Sequence, residues 1–181
     1  STQIISELID VSYSTAHQLL KKMSDLQLTK STAMYIRSTR GVCRVVLHGV
    51  TNHGLAMSLS NSSAIEIGRV WEPSKLSPLF VPHQLELQSV RLRAERLGWQ
   101  SWKPARMLAG QGLHKLPDAE AYTPDQFPVA IELERHIKSI KRYEVIIGSY
   151  MSVIKQKKIW QRIDYLCPTA DFAEKLSNAF S

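Results

Sequence analysis

Apolar positions along the first seventy residues recur first with a helical and then with a strand period. Residues 4–9 form a short apolar cluster that predicts a helix. After Asp10-Val11-Ser12-Tyr13-Ser14, residues Ala16, Leu19, Leu20, Met23 and Leu26 recur every three or four positions, which marks one buried helix face. Ser12 or Ser14 can cap that helix by accepting a free backbone N–H. Two β-rich runs follow, 33–37 and 42–47, separated by Ser38-Thr39-Arg40-Gly41, a turn-sized loop with a permissive glycine. A third helix is expected from about Thr51 to Leu59. Helix, turn, helix and hairpin is the order of a winged helix-turn-helix.

The pattern changes across 71–82, where Pro73, Pro78 and Pro82 read as a linker between residues 1–70 and a second domain at 83–181. There the pattern predicts a helix over 82–97 with Leu87, Val90, Ala94 and Leu97 on one face, closed by Gly98. Strands are expected at 99–108, 116–121 and 127–134, a long helix at 137–154, a strand at 159–166 stopped by Pro168, and a closing helix at 170–180. The fold class is therefore α+β.

Composition narrows the setting. The chain has 181 residues, 44% hydrophobic and 22% charged, which is an ordinary globular balance. No apolar run approaches the roughly 20 residues that span a bilayer. No signal peptide is visible at the start, and Ser1 in place of Met reads as a trimmed fragment. Two distant cysteines exclude a disulfide-dense scaffold or a Cys-rich zinc module, so a reducing cytoplasm is expected. The net charge is +7, a surplus that suits nucleic acid or another anionic surface.

The chemistry concentrates at Pro117-Asp118 and, 13 residues further on, Glu132-Leu133-Glu134. Residues i and i+2 of a strand share a face, so Glu132 and Glu134 converge and Asp118 on a neighbouring strand can join them. Three such carboxylates either hold a hard cation, Mg²⁺ or Mn²⁺, or are solvated and paired with nearby Lys and Arg. Spacing alone leaves both open. From 135 to 162 there are eight Lys or Arg against Glu144 alone, either a phosphate-binding surface or a solvated helix face. In the first unit, Ser14, Thr15, His17, Gln18, Lys21 and Lys22 lie off the apolar stripe. They are placed to contact bases and phosphates if that helix enters a major groove, with Arg40 at the wing tip. The six histidines form no His-x-His cluster, and Gly110-Gln111-Gly112 is not a phosphate loop. Tyr143 and Tyr150, seven apart on one helix, share a face as core, rim or nucleophile.

Pro117-Asp118…Glu132-x-Glu134 within an αβββαβ order resembles the restriction-endonuclease-like PD-(D/E)xK fold. The run Val129–Glu134…Lys138…Lys141-Arg142-Tyr143, behind a winged helix, resembles more narrowly the MobC-type replication-relaxation family of plasmid mobilisation relaxases. That resemblance implies metal-dependent DNA nicking at an origin of transfer, with other mobilisation proteins and a coupling protein as partners. Asp118, Glu132 and Glu134 would hold Mg²⁺ or Mn²⁺, and Glu86 would be a further ligand on the entering helix. Lys138 would take the place of the motif lysine, which is Glu134 here, reaching back from one helical turn further on. Lys141, Arg142 and Tyr143 would contact DNA. The rival readings are a non-catalytic DNA-binding accessory or transcriptional regulator, and a protein-docking adaptor with a merely solvated acidic strand.

Overall fold

A computed structural model describes residues 1–38, 41–59, 72, 75–110 and 112–180. The chain is mixed α+β and divides into two compact units, Ser1–Ser89 and Val90–Ser181.

The first unit opens with α1 (Thr2–Leu8) and α2 (Tyr13–Asp25). Ser12 caps α2 by accepting the Thr15 N–H at 3.1 Å. Ala16 and Leu20 are buried beneath α2, whereas Leu19 and Leu26 of the expected stripe are exposed. Met23, the next residue of the stripe, is half-buried. β1 (Thr29–Ser38) and β2 (Gly41–Val50) pair antiparallel from Thr29↔Val50 to Ser38↔Gly41. Gly41 has φ +110, a conformation that favours glycine. Arg40 lies outside the described residues. α3 (Asn52–Leu59) follows at once. Ile36 and Leu47 from the hairpin enclose Val81, with Met34, Val45, Leu76 and Leu85 packed around them.

Val81 begins α4 (Val81–Arg96), whose last residues belong to the second unit. Gly98, at φ +87, lets the chain turn away from the helix end. β3 (Gln100–Pro104) is half the expected length. Pro104 cannot donate to a ladder, and the chain turns into the single helical turn α5 (Ala105–Leu108), which buries Leu108. β4 (Ala119–Tyr122), β5 (Pro128–Leu133), α6 (Ile140–Lys157), β6 (Arg162–Leu166) and α7 (Ala170–Asn178) complete it. The sheet order is β3-β4-β5-β6, with the first two pairings antiparallel and β5–β6 parallel. A parallel pair needs a crossover, and α6 supplies it.

One face of this sheet packs on α6. Ala130 meets Tyr150, Val153 and Trp160, with Ile146, Ile154, Ile159 and Ile163 around them. The other face carries Ile131 and Leu133, which line an apolar cavity of about 320 Å³ with Ala94, Trp99 and Trp102. No helix among the described residues is long and apolar enough to cross a membrane.

Candidate functional site

The α6 face of the sheet holds three buried glutamates, Glu120 on β4, Glu132 on β5 and Glu134 just past the end of β5. Alternation puts them there. Ala119 and Ala121 turn to one side of β4 and Glu120 to the other, across from Ala130. Ala130, Glu132 and Glu134 share that same side. Glu120 is 8% exposed, Glu132 7% and Glu134 4%. Burial of an ionised carboxylate is costly unless it is paired and hydrogen-bonded.

Each glutamate has one lysine and one aromatic donor. Glu120 takes the Lys103 ammonium at 2.9 Å and the Trp160 indole N–H at 3.1 Å. Glu132 takes the Lys115 ammonium at 2.6 Å and the Tyr150 hydroxyl. Glu134 takes the Lys138 ammonium and the Tyr143 hydroxyl, the latter at 3.1 Å. Lys115 and Lys138 also lie over the rings of Tyr150 and Tyr143, at 5.7 and 5.6 Å from the centroids.

Asp118 stands just ahead of β4. Its Oδ2 accepts the Leu133 N–H at 2.8 Å, which fixes the side chain against β5 beside Glu132. Its own N–H donates to the Ile131 carbonyl at 3.0 Å. Burial pushes the Glu132 carboxyl above its ordinary range. Lys115 and Tyr150 oppose that shift, and the charge of Asp118 adds to it. Burial raises Tyr150 and Tyr143 as well, and the neighbouring glutamates push them further. Tyr165 lies opposite Glu132 in the β5–β6 register, and its buried hydroxyl has no hydrogen-bond partner among the described residues. Its acidity is suppressed by burial and then by Glu132 and Glu134.

Asp118 and Glu132 are thus brought side by side, and Glu132 and Glu134 do share a face. The expected set of three carboxylate ligands does not form. Among the described residues no group of three or more His, Cys, Asp or Glu is arranged to hold a metal ion. Ammonium groups neutralise Glu132 and Glu134 instead. The pair Asp118 and Glu132 still offers hard oxygen donors of the kind that binds Mg²⁺ when water and substrate phosphate complete its shell. Glu86 is exposed on the part of α4 that belongs to the first unit, outside this group.

Lys138 reaches Glu134, but not from a helix. Ser139 is the N-cap residue of α6, with extended φ −65 and ψ 150, so Lys138 sits in the preceding loop. Tyr143, expected at the DNA surface, is 1% exposed and packs edge-on against Phe180 at 5.0 Å. Lys141 and Arg142 are exposed beside it, as are Ser14, Thr15, His17, Gln18, Lys21 and Lys22 on α2. The hydroxyls of Ser14 and Thr15 both bond to Ser12 Oγ, at 2.9 and 2.8 Å. Sequence reasoning missed Lys103, Lys115, Glu120, Trp160 and Tyr165. The Ala-Glu-Ala alternation on β4 was the one available signal for Glu120. No family model, no curated protein and no solved structure matches the chain.

Proposed function

We propose that this chain is the DNA-engaging part of a plasmid mobilisation relaxase of the replication-relaxation kind, with a winged-helix first unit and a nuclease-like second unit. The observation that carries the reading is Asp118, held by the Leu133 N–H beside Glu132 at the end of adjacent strands. Its setting in chain order is α4, β3, the single turn α5, β4, β5, α6 and β6, which supports an αβββαβ reading if α5 counts as an insertion after the first strand. The exposed lysines and arginines of 135–162 supply charge for a phosphodiester backbone.

In this reading Asp118 and Glu132 would hold Mg²⁺ or Mn²⁺. When bound, such an ion makes water a better nucleophile and offsets charge on phosphate. Water adds to phosphorus as the bond to one sugar oxygen breaks; that oxygen leaves with a proton, and a phosphomonoester and a hydroxyl remain. The exposed face of α2 would seat the first unit on duplex DNA.

Nicking of supercoiled plasmid in Mg²⁺ or Mn²⁺ tests it. Asp118→Asn and Glu132→Gln should each abolish nicking while DNA binding persists; wild-type rates in either would sink the assignment. A second reading is favoured by one observation, the ammonium partners of Glu132 and Glu134. Carboxylates neutralised this way suit a non-catalytic DNA-binding accessory or regulator. Tight, salt-sensitive DNA binding without nicking in either metal would select it.

A further inference from the structure

We propose that the apolar cavity on the face of the second sheet opposite the glutamates binds a small, flat aromatic carboxylate, with Trp99 and Trp102 against the ring and Arg93 on the carboxylate. Every residue that lines it lies within the second unit. Its volume is about 320 Å³, and small-molecule sites run from roughly 300 to 1,000 Å³. Two tryptophans three apart fall on opposite faces of a regular strand. A bulge brings these two together. Between the pairings Gln100↔Tyr122 and Lys103↔Glu120, β3 advances one residue more than β4. Ser101 accommodates the extra residue with a left-handed φ of +52. Gln100, before the bulge, lies on the α6 side across from Tyr122. Lys103, after it, lies on that same side and reaches Glu120 at 2.9 Å. Trp99 and Trp102 are therefore both left on the cavity side. Without the bulge Trp102 would join Gln100 on the α6 face. Left-handed backbone is costly at a residue other than glycine, and such residues cluster where ligands are held.

The polar groups of the lining select the ligand. Arg93 is the only cation among the described residues that line the cavity, and among the described residues it has no carboxylate partner. Its neighbour on α4, Arg91, is held by Glu95 at 2.7 Å. Asp164 is also in the lining, but both of its oxygens are taken by Arg162, at 2.9 and 3.2 Å. Ile131 and Leu133 of β5 present only hydrocarbon. A nucleobase would bring several donors and acceptors that this lining leaves unmet, at a cost for each one buried. A ring bearing a single carboxylate has none to leave unmet. Its edge or face packs on the indoles, and its two oxygens match the planar fork of the guanidinium.

Naphthoate and its uncharged amide, naphthamide, test this on the full chain. In ¹⁵N-labelled protein the indole N–H signals report the site directly, because Trp99 and Trp102 line it while Trp160 is tied to Glu120 on the opposite face. Naphthoate should shift the Trp99 and Trp102 signals, assigned through Trp99→Phe and Trp102→Phe, and leave that of Trp160 in place. By calorimetry naphthoate should bind about tenfold or more tighter than naphthamide, as a hydrogen bond to a charged group allows. Arg93→Gln, at an exposed position, should abolish that preference and keep the binding of naphthamide. Equal affinity for the two compounds overturns the proposal. So does a preference that survives Arg93→Gln, or Trp99 and Trp102 signals that stay in place at millimolar naphthoate. Thymidine monophosphate moving those two signals at lower concentration than naphthoate would also overturn it, and would make the cavity a nucleotide site.

Discussion

The Tyr150 hydroxyl donates to Oε1 of Glu132, the same oxygen that accepts the Lys115 ammonium. The arrangement repeats with Tyr143 and Glu134. The residues seven apart on α6 climb as those two apart on β5 descend, so helix and strand run antiparallel, as a crossover to the parallel strand β6 requires. Two periods are matched here: about 10.5 Å along the helix against about 6.6 Å along the strand. The length of the tyrosine and glutamate side chains absorbs the difference.

Tyr150→Phe keeps the ring against Trp160, whose centroid is 5.8 Å away, and removes only the hydroxyl. Glu132 then loses one of two partners while buried. A hydrogen bond to a charged group contributes about 1.5–3 kcal/mol, so urea unfolding of the second unit should show a loss in that range. A double-mutant cycle with Glu132→Gln should recover a large part of it as coupling. Additive effects would mean that the hydroxyl and the carboxylate do not interact.

Glu132 also sets a pH dependence. Burial, the largest cause, raises its folded carboxyl above the unfolded value. In the window between those two values the folded state holds more protons than the unfolded state, so stability falls as pH rises. Above the folded value the penalty is complete; below the unfolded value it vanishes. Wild type should therefore lose stability relative to Glu132→Gln as pH climbs from about 4.5, the ordinary carboxyl range. Tryptophan-monitored urea titrations at stepped pH measure the difference. A wild type that gains on the variant over that window would reverse the sign and make the Lys115 partnership dominant over burial.

Much of this was legible from period and punctuation. Ser12 before an apolar helical stripe, Gly98 after another, and Gly41 ahead of a β-rich run gave the elements to within a few residues. The shared face of Glu132 and Glu134 followed from the strand period alone. What filled that face did not. Lys115 meets Glu132 across 17 residues, and only the path of the segment ahead of β4 brings them together. Ile137-Lys138-Ser139 reads as helical from the pattern, yet Ser139 is the extended N-cap residue whose carbonyl accepts the Arg142 and Tyr143 N–H groups, so Lys138 lies ahead of the helix. Tyr143 stands next to two exposed basic residues in sequence, and α6 turns it inward through a stripe it shares with Ile146 and Tyr150.

Gly54 is where α3 meets the root of the hairpin. A Cβ there would stand 2.1 Å from the Leu28 carbonyl oxygen, a backbone atom that cannot rotate away. The same carbonyl accepts the Thr51 N–H at 3.0 Å, and the Thr51 hydroxyl accepts the Gly54 N–H at 3.0 Å. Gly54→Ala should thus shift α3 and destabilise the first unit by about 1–3 kcal/mol, the usual range for overpacking, despite alanine's better helix propensity. Unfolding of the first unit followed by circular dichroism checks this; a stabilised variant would show that α3 is not seated on Leu28.

The last prediction concerns α2 and DNA. Ala16 and Leu20 are the residues this helix buries, and Ser12 caps its start, so the helix is held from one side and one end. His17, Gln18, Lys21 and Lys22 are left exposed. A lysine on phosphate contributes by releasing condensed counterions, and each contact adds about 0.9 to the slope of log affinity against log salt. Replacing Lys21 and Lys22 together with Ala should weaken binding to duplex DNA and make that slope shallower by about 2 if both touch phosphate. The fold should be unaffected, since neither side chain is buried. Fluorescence anisotropy across a salt series measures both quantities. Weaker binding with an unchanged slope would mean that the lysines act through the shape of the unit rather than on phosphate. Unchanged affinity and slope would take α2 off the DNA and leave the basic residues of 135–162 to carry the binding alone.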